Sequence, residues 1–381
     1  MMTGSKTSLL LTLPLTGLLI AGCGRRAAED TDMGSTTQEP ASMEDMTMVQ
    51  DMTVTQDMPD EDMDGMEETD MSTSPEEVRS AGCMNTTPGW TPAQSSEESI
   101  MFGGQERTFR VRLPEGYDHT QSYPVVFALH GGFGSGERME NETTNFNPVA
   151  DSNGIIMIYP DGVAQFPRAD SDVTRIRTWN AGGCCGHAQS ENIDDVGALK
   201  KILEYTEEIA CVDSKRVYST GMSNGAMMSY RLACEASDTF AAVAPVGASL
   251  VFEPCEPERP VPVVHIHGLE DKNAPFEGGM GCGPGDTSDL APVPELMDRW
   301  DAMLGCSGEE EVLLDTADVT CVATSGCGQD VQLCTLPNGN HSWPGGIPKN
   351  RSPLPGCEGG EQVASFYASE YIWNFFKDRT L

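Results

Sequence analysis

The sequence of 381 residues predicts an α/β fold: a mostly parallel central sheet flanked by helices and stabilised by disulfides. Three observations support this prediction. Strand-like runs alternate with helical stretches from Thr108 to Phe376, and most of the runs are continuously apolar, as in strands buried on both faces. One run leads through a glycine-flanked turn directly into a helix. Twelve cysteines lie beyond residue 80, enough for a disulfide framework in an exported domain.

The elements follow from the periodicity of apolar residues. The predicted strands are Thr108–Leu113, Pro124–Leu129, Ile155–Tyr159, Val217–Thr220, Ala241–Pro245, Val261–His267 and Val331–Leu336. The predicted helices are Asp194–Ile209, Ala226–Cys234, Pro294–Leu304 and Glu361–Phe376. The region Ala81–Leu381 is long enough for one such sheet with a long loop insertion.

The turn after Val217–Thr220 has the pattern Gly-x-Ser-x-Gly, with Ser223 between Gly221 and Gly225. Glycines are needed there because Cβ atoms would collide with neighbouring backbone in so sharp a strand-to-helix turn. The turn therefore exposes the Ser223 hydroxyl at its apex. This is the nucleophile elbow of the α/β-hydrolase fold, and Ser223 is the predicted nucleophile.

A serine nucleophile needs a base and an orienting carboxylate, which follow it along the chain in this fold. His341, in a loop rich in turn formers, is the predicted base. Asp271, just past the strand Val261–His267, is the predicted acid, with the adjacent Glu270 as the competing carboxylate. The carboxyl ends of strands are where ligand-facing residues of open α/β sheets collect.

An oxyanion hole is predicted after the strand Pro124–Leu129. Gly131 and Gly132 lack Cβ atoms, so their N–H groups can approach a developing alkoxide closely. The N–H of Asn224, the residue after the nucleophile, is the expected second donor. The alternative is an ordinary glycine turn after a strand.

The region from Phe102 to Lys377 resembles the feruloyl esterases and polyhydroxybutyrate depolymerases, a family of secreted carboxylesterases. The Thr178–Gly186 segment, with its Cys-Cys pair, and the Ser-Asn-Gly version of the elbow look like the feruloyl esterase branch. Depolymerases more often have Ser-Ala-Gly at the elbow. The resemblance rests on the joint order of Leu129–Gly132, Tyr159–Gly162, Thr178–Gly186, Asn192–Gly197, Gly221–Gly225, Phe240–Pro245, Gly268–Gly279 and His341–Gly345.

That resemblance implies an ester hydrolase acting on feruloyl or related plant-polysaccharide esters, with xylan as one such polysaccharide. Trp179 and Trp343 are expected to line an acyl pocket, where their rings would stack on a hydroxycinnamoyl group. The alternative for both tryptophans is packing of the loops. A polyhydroxybutyrate depolymerase, or an inactive binding protein on a hydrolase scaffold, remain alternative functions.

The amino-terminal region has three features of an exported, anchored protein. Residues 1–22 have a charged residue, a short apolar run and small residues, as in a signal peptide. The small residues end at Cys23, which resembles a lipobox and is the expected lipidation site, on the outer membrane if the host is Gram-negative. Residues 23–82 are acidic, with recurring Asp-Met, and predict a disordered tether. Residues 83–381 are then the esterase domain.

The net charge of −36 argues against binding of nucleic acid or of anionic membrane surfaces. No cofactor or metal is expected. His265 and His267 share one face of a strand, but no third ligand lies near them in sequence, so buried structural histidines are predicted. A monomer is expected, with an ester as its substrate and a membrane contact made only through the lipid anchor.

The twelve cysteines beyond the lipobox are predicted to be mostly disulfide-bonded. A hairpin centred at Cys327 and Gly328 sets Cys321 opposite Cys334, so these two are expected to pair. Cys184 and Cys185 are adjacent, and the strain of a ring that small predicts separate partners for them.

Overall fold

A ten-stranded sheet is the centre of the computed structural model, which describes residues 80–87, 89–170, 175–282, 289–328, 330–348 and 356–381. The predicted signal peptide, the lipidation site Cys23 and residues 23–79 of the predicted tether lie outside these ranges. No helix in the described ranges is long and apolar enough to cross a membrane.

The strands are β1 (Ser95–Phe102), β2 (Gln105–Arg112), β3 (Tyr123–Leu129), β4 (Ile156–Pro160), β5 (Val163–Ala164), β6 (Arg177–Thr178), β7 (Val212–Met222), β8 (Ala242–Val246), β9 (Val263–Gly268), β10 (Gly279–Met280), β11 (Asp289–Leu290), β12 (Glu310–Asp315), β13 (Thr320–Thr324) and β14 (Val331–Leu336). The main sheet has the order β1-β2-β4-β3-β7-β8-β9-β14-β13-β12. Its six central strands are parallel, and the two strands at each edge are antiparallel. β5 with β6 and β10 with β11 form two small ribbons.

The α-helices are α1 (Gly136–Met139), α2 (Asn147–Asn153), α3 (Gly186–Ser190), α4 (Asp195–Ile209), α5 (Asn224–Glu235), α6 (Val293–Leu304) and α7 (Ala368–Phe376). A 3₁₀ turn (Ala81–Met84) and a π-helical turn (Glu140–Thr144) complete the helical elements of the described residues.

Side chains of β3 alternate between two apolar cores, one on each face of the sheet. Val126 and Ala128 pack in the core that includes Phe376 of α7, whereas Phe127 and Leu129 pack in the core that includes Leu199 of α4. Each face is therefore covered by helices. This double coverage explains why the central strands read as continuous apolar runs, and it confirms the predicted α/β class.

The edges of the main sheet and the start of the last helix differ from the sequence prediction. β1 and β12 were not predicted, because both are polar edge strands that show no continuous apolar run. The helix predicted over Glu361–Phe376 begins only at Ala368. Its first residues are extended instead, and the carbonyls of Glu361 and Val363 accept hydrogen bonds from the N–H groups of Asn340 and Gly345. These residues therefore hold the loop that carries His341.

Six disulfides link the twelve cysteines. Cys321 and Cys334 are partners in the antiparallel register of β13 and β14 and are bonded. The prediction of separate partners for Cys184 and Cys185 was wrong: the other ten cysteines form five bonds among themselves, and these two bond to each other. The remaining pairs are Cys83–Cys211, Cys234–Cys255, Cys282–Cys357 and Cys306–Cys327.

Ser80 and Gly82 are packed, although they fall within the predicted tether. The Ser80 hydroxyl donates to the Ala210 carbonyl at 2.9 Å and accepts from the Val212 N–H at 2.8 Å. Gly82 is buried, and a Cβ there would lie 2.2 Å from the Ala210 oxygen. The packed region therefore includes residues before the predicted boundary at 83.

Candidate active site

Ser223 lies in the turn between β7 and α5 with φ 57° and ψ −124°, a left-handed φ that is rare for residues other than glycine. A Cβ at Gly221 would lie 2.5 Å from the Gly225 carbonyl oxygen, and one at Gly225 would lie 2.3 Å from the Leu129 oxygen. Only glycine fits at either position. The strained backbone holds Ser223 half-buried at the apex, as in a nucleophile elbow.

Asp271 and His341 form a short hydrogen bond: His341 Nδ1 lies 2.6 Å from Asp271 Oδ2. The other carboxylate oxygen, Oδ1, accepts from the N–H groups of Asn273 at 2.8 Å and Ala274 at 2.9 Å. Both oxygens are therefore engaged, and the carboxylate cannot rotate without losing bonds. A carboxylate on Nδ1 makes that nitrogen the donor and leaves His341 Nε2 as a proton acceptor.

The Asp271 carboxyl is almost completely buried, with 2% of its surface exposed. Burial alone would raise its pKa, but the charge of His341 and the hydrogen bond from it outweigh that effect and lower the pKa below its ordinary value. Asp271 is therefore ionised over the neutral and mildly acidic range, as an orienting carboxylate must be.

Glu270, the competing carboxylate, is exposed and forms an ion pair with Lys272, at 3.4 Å. The geometry therefore favours Asp271 over Glu270 as the partner of His341.

Ser223, Asp271 and His341 each follow the carboxyl end of a strand in the run of neighbouring parallel strands β7, β8, β9 and β14. Ser223 follows β7, and its N–H donates to the Val246 carbonyl at the end of β8. Asp271 follows β9 and His341 follows β14. Gly247, which follows β8, lies beside the Asp271–His341 pair: a Cβ there would lie 3.4 Å from Asp271 Oδ2 and 3.6 Å from His341 Nδ1. The sequence did not point to Gly247, since no motif contains it.

Two predicted oxyanion donors differ in their surroundings. A Cβ at Gly131 would lie 3.3 Å from the Ser223 Cβ, whereas one at Gly132 would meet no atom within 4 Å. Gly131 thus lies against Ser223 and Gly132 faces open space. Asn224 is the first residue of α5, where helical N–H groups have no intrahelical acceptor.

His130 fixes the glycine loop, a role that the sequence analysis missed. Its Nε2 accepts from the Gly162 N–H at 2.9 Å, so its Nδ1 carries the proton and donates to the Gly131 carbonyl at 2.7 Å. The ring is 2% exposed. A histidine directly before two glycines was the available signal.

Trp179 and Trp343, which are expected from the resemblance to line an acyl pocket, are packed in the interior. Both indoles are almost completely buried, Trp343 at 1% exposure, and their N–H groups donate to the His130 carbonyl and the Ser369 hydroxyl respectively. Trp179 instead braces the elbow, because its backbone N–H and C=O both bond to the side-chain amide of Asn224. Burial of these rings depends on residues far away in sequence, which the motif could not reveal.

Metal ligation has no support in this region. No group of three or more His, Cys, Asp or Glu side chains in the described ranges is arranged to hold a metal ion.

The doubly covered sheet, the strained serine after β7 and the adjacent Asp-His pair define the α/β-hydrolase class. A family model named "Esterase", described as "Putative esterase", matches residues 100–255. The protein "Putative esterase NocK" of Nocardia uniformis subsp. tsuyamanensis is 30% identical over 291 residues, which are 70% of this chain and 78% of that protein. The chain therefore belongs to the feruloyl esterase-like family of esterases, which are carboxylic ester hydrolases.

Two further similarities are partial. "Feruloyl esterase B" of Piromyces equi is 30% identical over 240 residues, which are 61% of this chain but only 42% of that protein. The chain thus spans less than half of that relative. A solved structure, "Acetyl xylan esterase from Aspergillus awamori", superposes with a TM-score of 0.47 at 15% identity, over 67% of this chain and 96% of that one. This superposition is too weak to carry a functional argument.

Proposed function

We propose that this protein is an exported serine carboxylesterase whose catalytic residues are Ser223, His341 and Asp271. The observation that carries the proposal is the 2.6 Å bond between His341 and a buried, ionised Asp271, at the strand ends next to the elbow of Ser223. An ion pair that only stabilised the surface would need neither a glycine packed against it, as Gly247 is, nor a serine with strained backbone such as Ser223.

The reaction follows from these positions. His341 Nε2 takes the Ser223 proton as the oxygen attacks the ester carbonyl, and Asp271 stabilises the imidazolium that forms. The N–H groups of Asn224 and of Gly131 or Gly132 stabilise the oxyanion, each donor contributing about 10²–10³ in rate. The imidazolium then protonates the leaving alcohol. Water, deprotonated by His341, hydrolyses the acyl-enzyme and restores Ser223.

The proposed substrates are feruloyl or related plant-polysaccharide esters. Support comes from relatives named as feruloyl esterases, and from one named as a bifunctional acetylxylan esterase/xylanase in Neocallimastix patriciarum. Because Trp179 and Trp343 are almost completely buried, we expect other side chains to supply most of the recognition of the acyl group.

Labelling with a fluorophosphonate tests the nucleophile directly. Wild-type protein should be modified at Ser223, and Ser223→Ala should lower kcat by about 10⁶-fold if the three residues act as a unit. Ser229→Ala is the matched control, because it removes from α5, the helix that follows Ser223, a buried hydroxyl whose bonds are to Ser219 and to the Gly225 carbonyl. A folded protein that resists labelling would instead be a binding protein on this scaffold.

A side-by-side assay tests the substrate class. The substrates are methyl ferulate, acetylated xylan, p-nitrophenyl butyrate and a 3-hydroxybutyrate oligomer. We expect ferulate or acetyl release from the plant-type esters. Preference for the hydroxybutyrate oligomer, without ferulate release, would assign the chain to polyhydroxybutyrate depolymerases and leave the catalytic residues unchanged.

We also propose a monomer anchored by a lipid at Cys23, at the cell surface or, in a Gram-negative host, the outer membrane. The six disulfides fit an extracellular protein. Cys23→Ser should release the protein from membranes and abolish the mass increase due to acylation. A wild-type protein that is fully released and cleaved at another site would overturn the anchor without touching the catalytic proposal.

A further inference from the structure

A chain of buried polar groups runs behind the Asp271–His341 pair. The Tyr230 hydroxyl lies 2.6 Å from His265 Nδ1, and His265 Nε2 lies 2.9 Å from His267 Nδ1. His267 Nε2 lies 2.8 Å from the Ala274 carbonyl oxygen and 3.7 Å from Asp271 Oδ2. Tyr230, His265 and His267 are at most 1% exposed. The three side chains therefore form a continuous path to the acid.

The direction of every bond in this path is fixed. The Ala274 carbonyl can only accept, so His267 Nε2 carries the proton, and its Nδ1 must accept from His265 Nε2–H. His265 Nδ1 then accepts from the Tyr230 hydroxyl. Burial lowers the pKa of His265 and of His267, which keeps both rings neutral and preserves this order.

The path joins the two elements that carry Ser223 and Asp271. Tyr230 lies on α5, seven residues or about two helical turns beyond Ser223. At the other end, residue Ala274 is held on both sides: its N–H donates to Asp271 Oδ1 and its carbonyl accepts from His267. Losing the His267 donor would release the backbone at Ala274 and weaken the N–H bond that orients the carboxylate.

A purely structural role explains less of the geometry. Apolar side chains would fill this space without burying the five polar ring and hydroxyl atoms, which must all be satisfied to avoid a cost in stability. His267 Nε2, which donates to the Ala274 carbonyl, also lies 3.7 Å from Asp271 Oδ2, the oxygen that His341 contacts. Its dipole therefore favours the charged carboxylate.

We propose that His267 is a positioning residue for Asp271, held in its required tautomer by His265 and Tyr230. The proposal rests on the proposed catalytic role of Ser223, His341 and Asp271. It predicts that His267 acts on the catalytic step through the orientation of the acid, without contact to the substrate.

The test compares His267→Leu, which removes the donor, with His267→Gln, which retains one. His267→Leu should lower kcat for p-nitrophenyl butyrate by about tenfold or more, because a misplaced acid misaligns His341, with KM changed less than about twofold. The far-downfield proton resonance of His341 Nδ1–H should shift or broaden. His267→Gln should recover most of the kcat and the resonance.

Tyr230→Phe gives a second measurement in case His267→Leu does not fold. Loss of its hydroxyl should lower kcat by about threefold and move the same resonance. Tyr218→Phe is the matched control: Tyr218 is equally buried, but its hydroxyl donates to the Arg379 carbonyl, so only stability should change.

The outcomes separate this proposal from the proposed function. If wild-type protein hydrolyses esters and Ser223→Ala does not, yet folded His267→Leu and Tyr230→Phe keep wild-type kcat and an unmoved resonance, the positioning role is wrong. If Ser223→Ala retains activity, the proposed function itself fails.

Discussion

At the scale of single residues, burial and contacts distinguish Asp271 from Glu270 as the carboxylate that orients His341. Asp271 is buried and bonded to His341, while Glu270 is exposed beside Lys272. We expect Asp271→Asn to lower kcat by about 10⁴-fold, because an amide cannot hold the required tautomer. Glu270→Gln, the matched control, should stay within about twofold of wild type. Assays of both purified variants on one ester test this expectation. Loss of activity in Glu270→Gln with activity retained in Asp271→Asn would identify Glu270 as the acid.

The sequence indicated Ser223, Asp271 and His341 because each follows a strand and two lie in glycine-rich turns. It did not indicate Gly247 or His130. Their roles depend on proximity between strand ends that no local pattern encodes. The sequence also did not reveal that Trp179 and Trp343 are buried. An aromatic ring two residues from a base is as compatible with a core as with a pocket, and only its packing neighbours distinguish the two.

At the scale of elements, β9 carries two buried neutral histidines, and this makes stability depend on pH. Burial lowers the pKa of His265 and His267 in the folded state. The unfolded chain therefore binds more protons once the pH falls below about 6.5, and the free energy of unfolding decreases by up to about 1.4 kcal/mol per pH unit for each histidine. Asp271, with its lowered pKa, adds its own loss only at lower pH, starting where an ordinary carboxyl becomes protonated.

Urea unfolding at pH 7, 6 and 5 measures this slope. The free energy of unfolding should fall with acidification in the wild type and less steeply in His265→Gln, which has one titratable ring fewer. A flat profile between pH 7 and pH 5 would mean that the two rings are not held neutral by the fold.

Elements with a continuous apolar run were predictable, and elements at the edges were not. The parallel strands β3, β4, β8, β9 and β14 lie within two residues of their predicted bounds, because burial on both faces forces the apolar run. β7 was located but begins at Val212, five residues before its predicted start. β1 and β12 have one face in water and many charged residues, so their sequences resemble loops. The start of α7 was misjudged because Glu361 and Val363 are used for tertiary hydrogen bonds.

At the scale of the whole molecule, the disulfides differ in how much chain they enclose. Cys83–Cys211 closes 128 residues and Cys306–Cys327 closes 21. If the bonds act by restricting the unfolded chain, replacing both cysteines of the first pair by serine should lower the free energy of unfolding by about 5 kcal/mol, against about 3 kcal/mol for the second. Urea unfolding under non-reducing conditions compares them. Equal losses would contradict the loop-length argument.

The contacts of Ser80 and Cys83 also lie at one end of the sheet, opposite the end at which Ser223 lies. Both attach beside Ala210–Val212, where β7 begins, whereas Ser223 follows the far end of the same strand. β7 has 11 residues, so the two points are on the order of 35 Å apart. If the protein is immobilised on a bead through residues before Ser80, the bead is therefore attached at the end of β7 opposite Ser223. Beads that carry the protein in this orientation should digest an insoluble polymer at their surface. Randomly coupled protein would instead leave many copies with Ser223 against the bead and out of reach of the polymer.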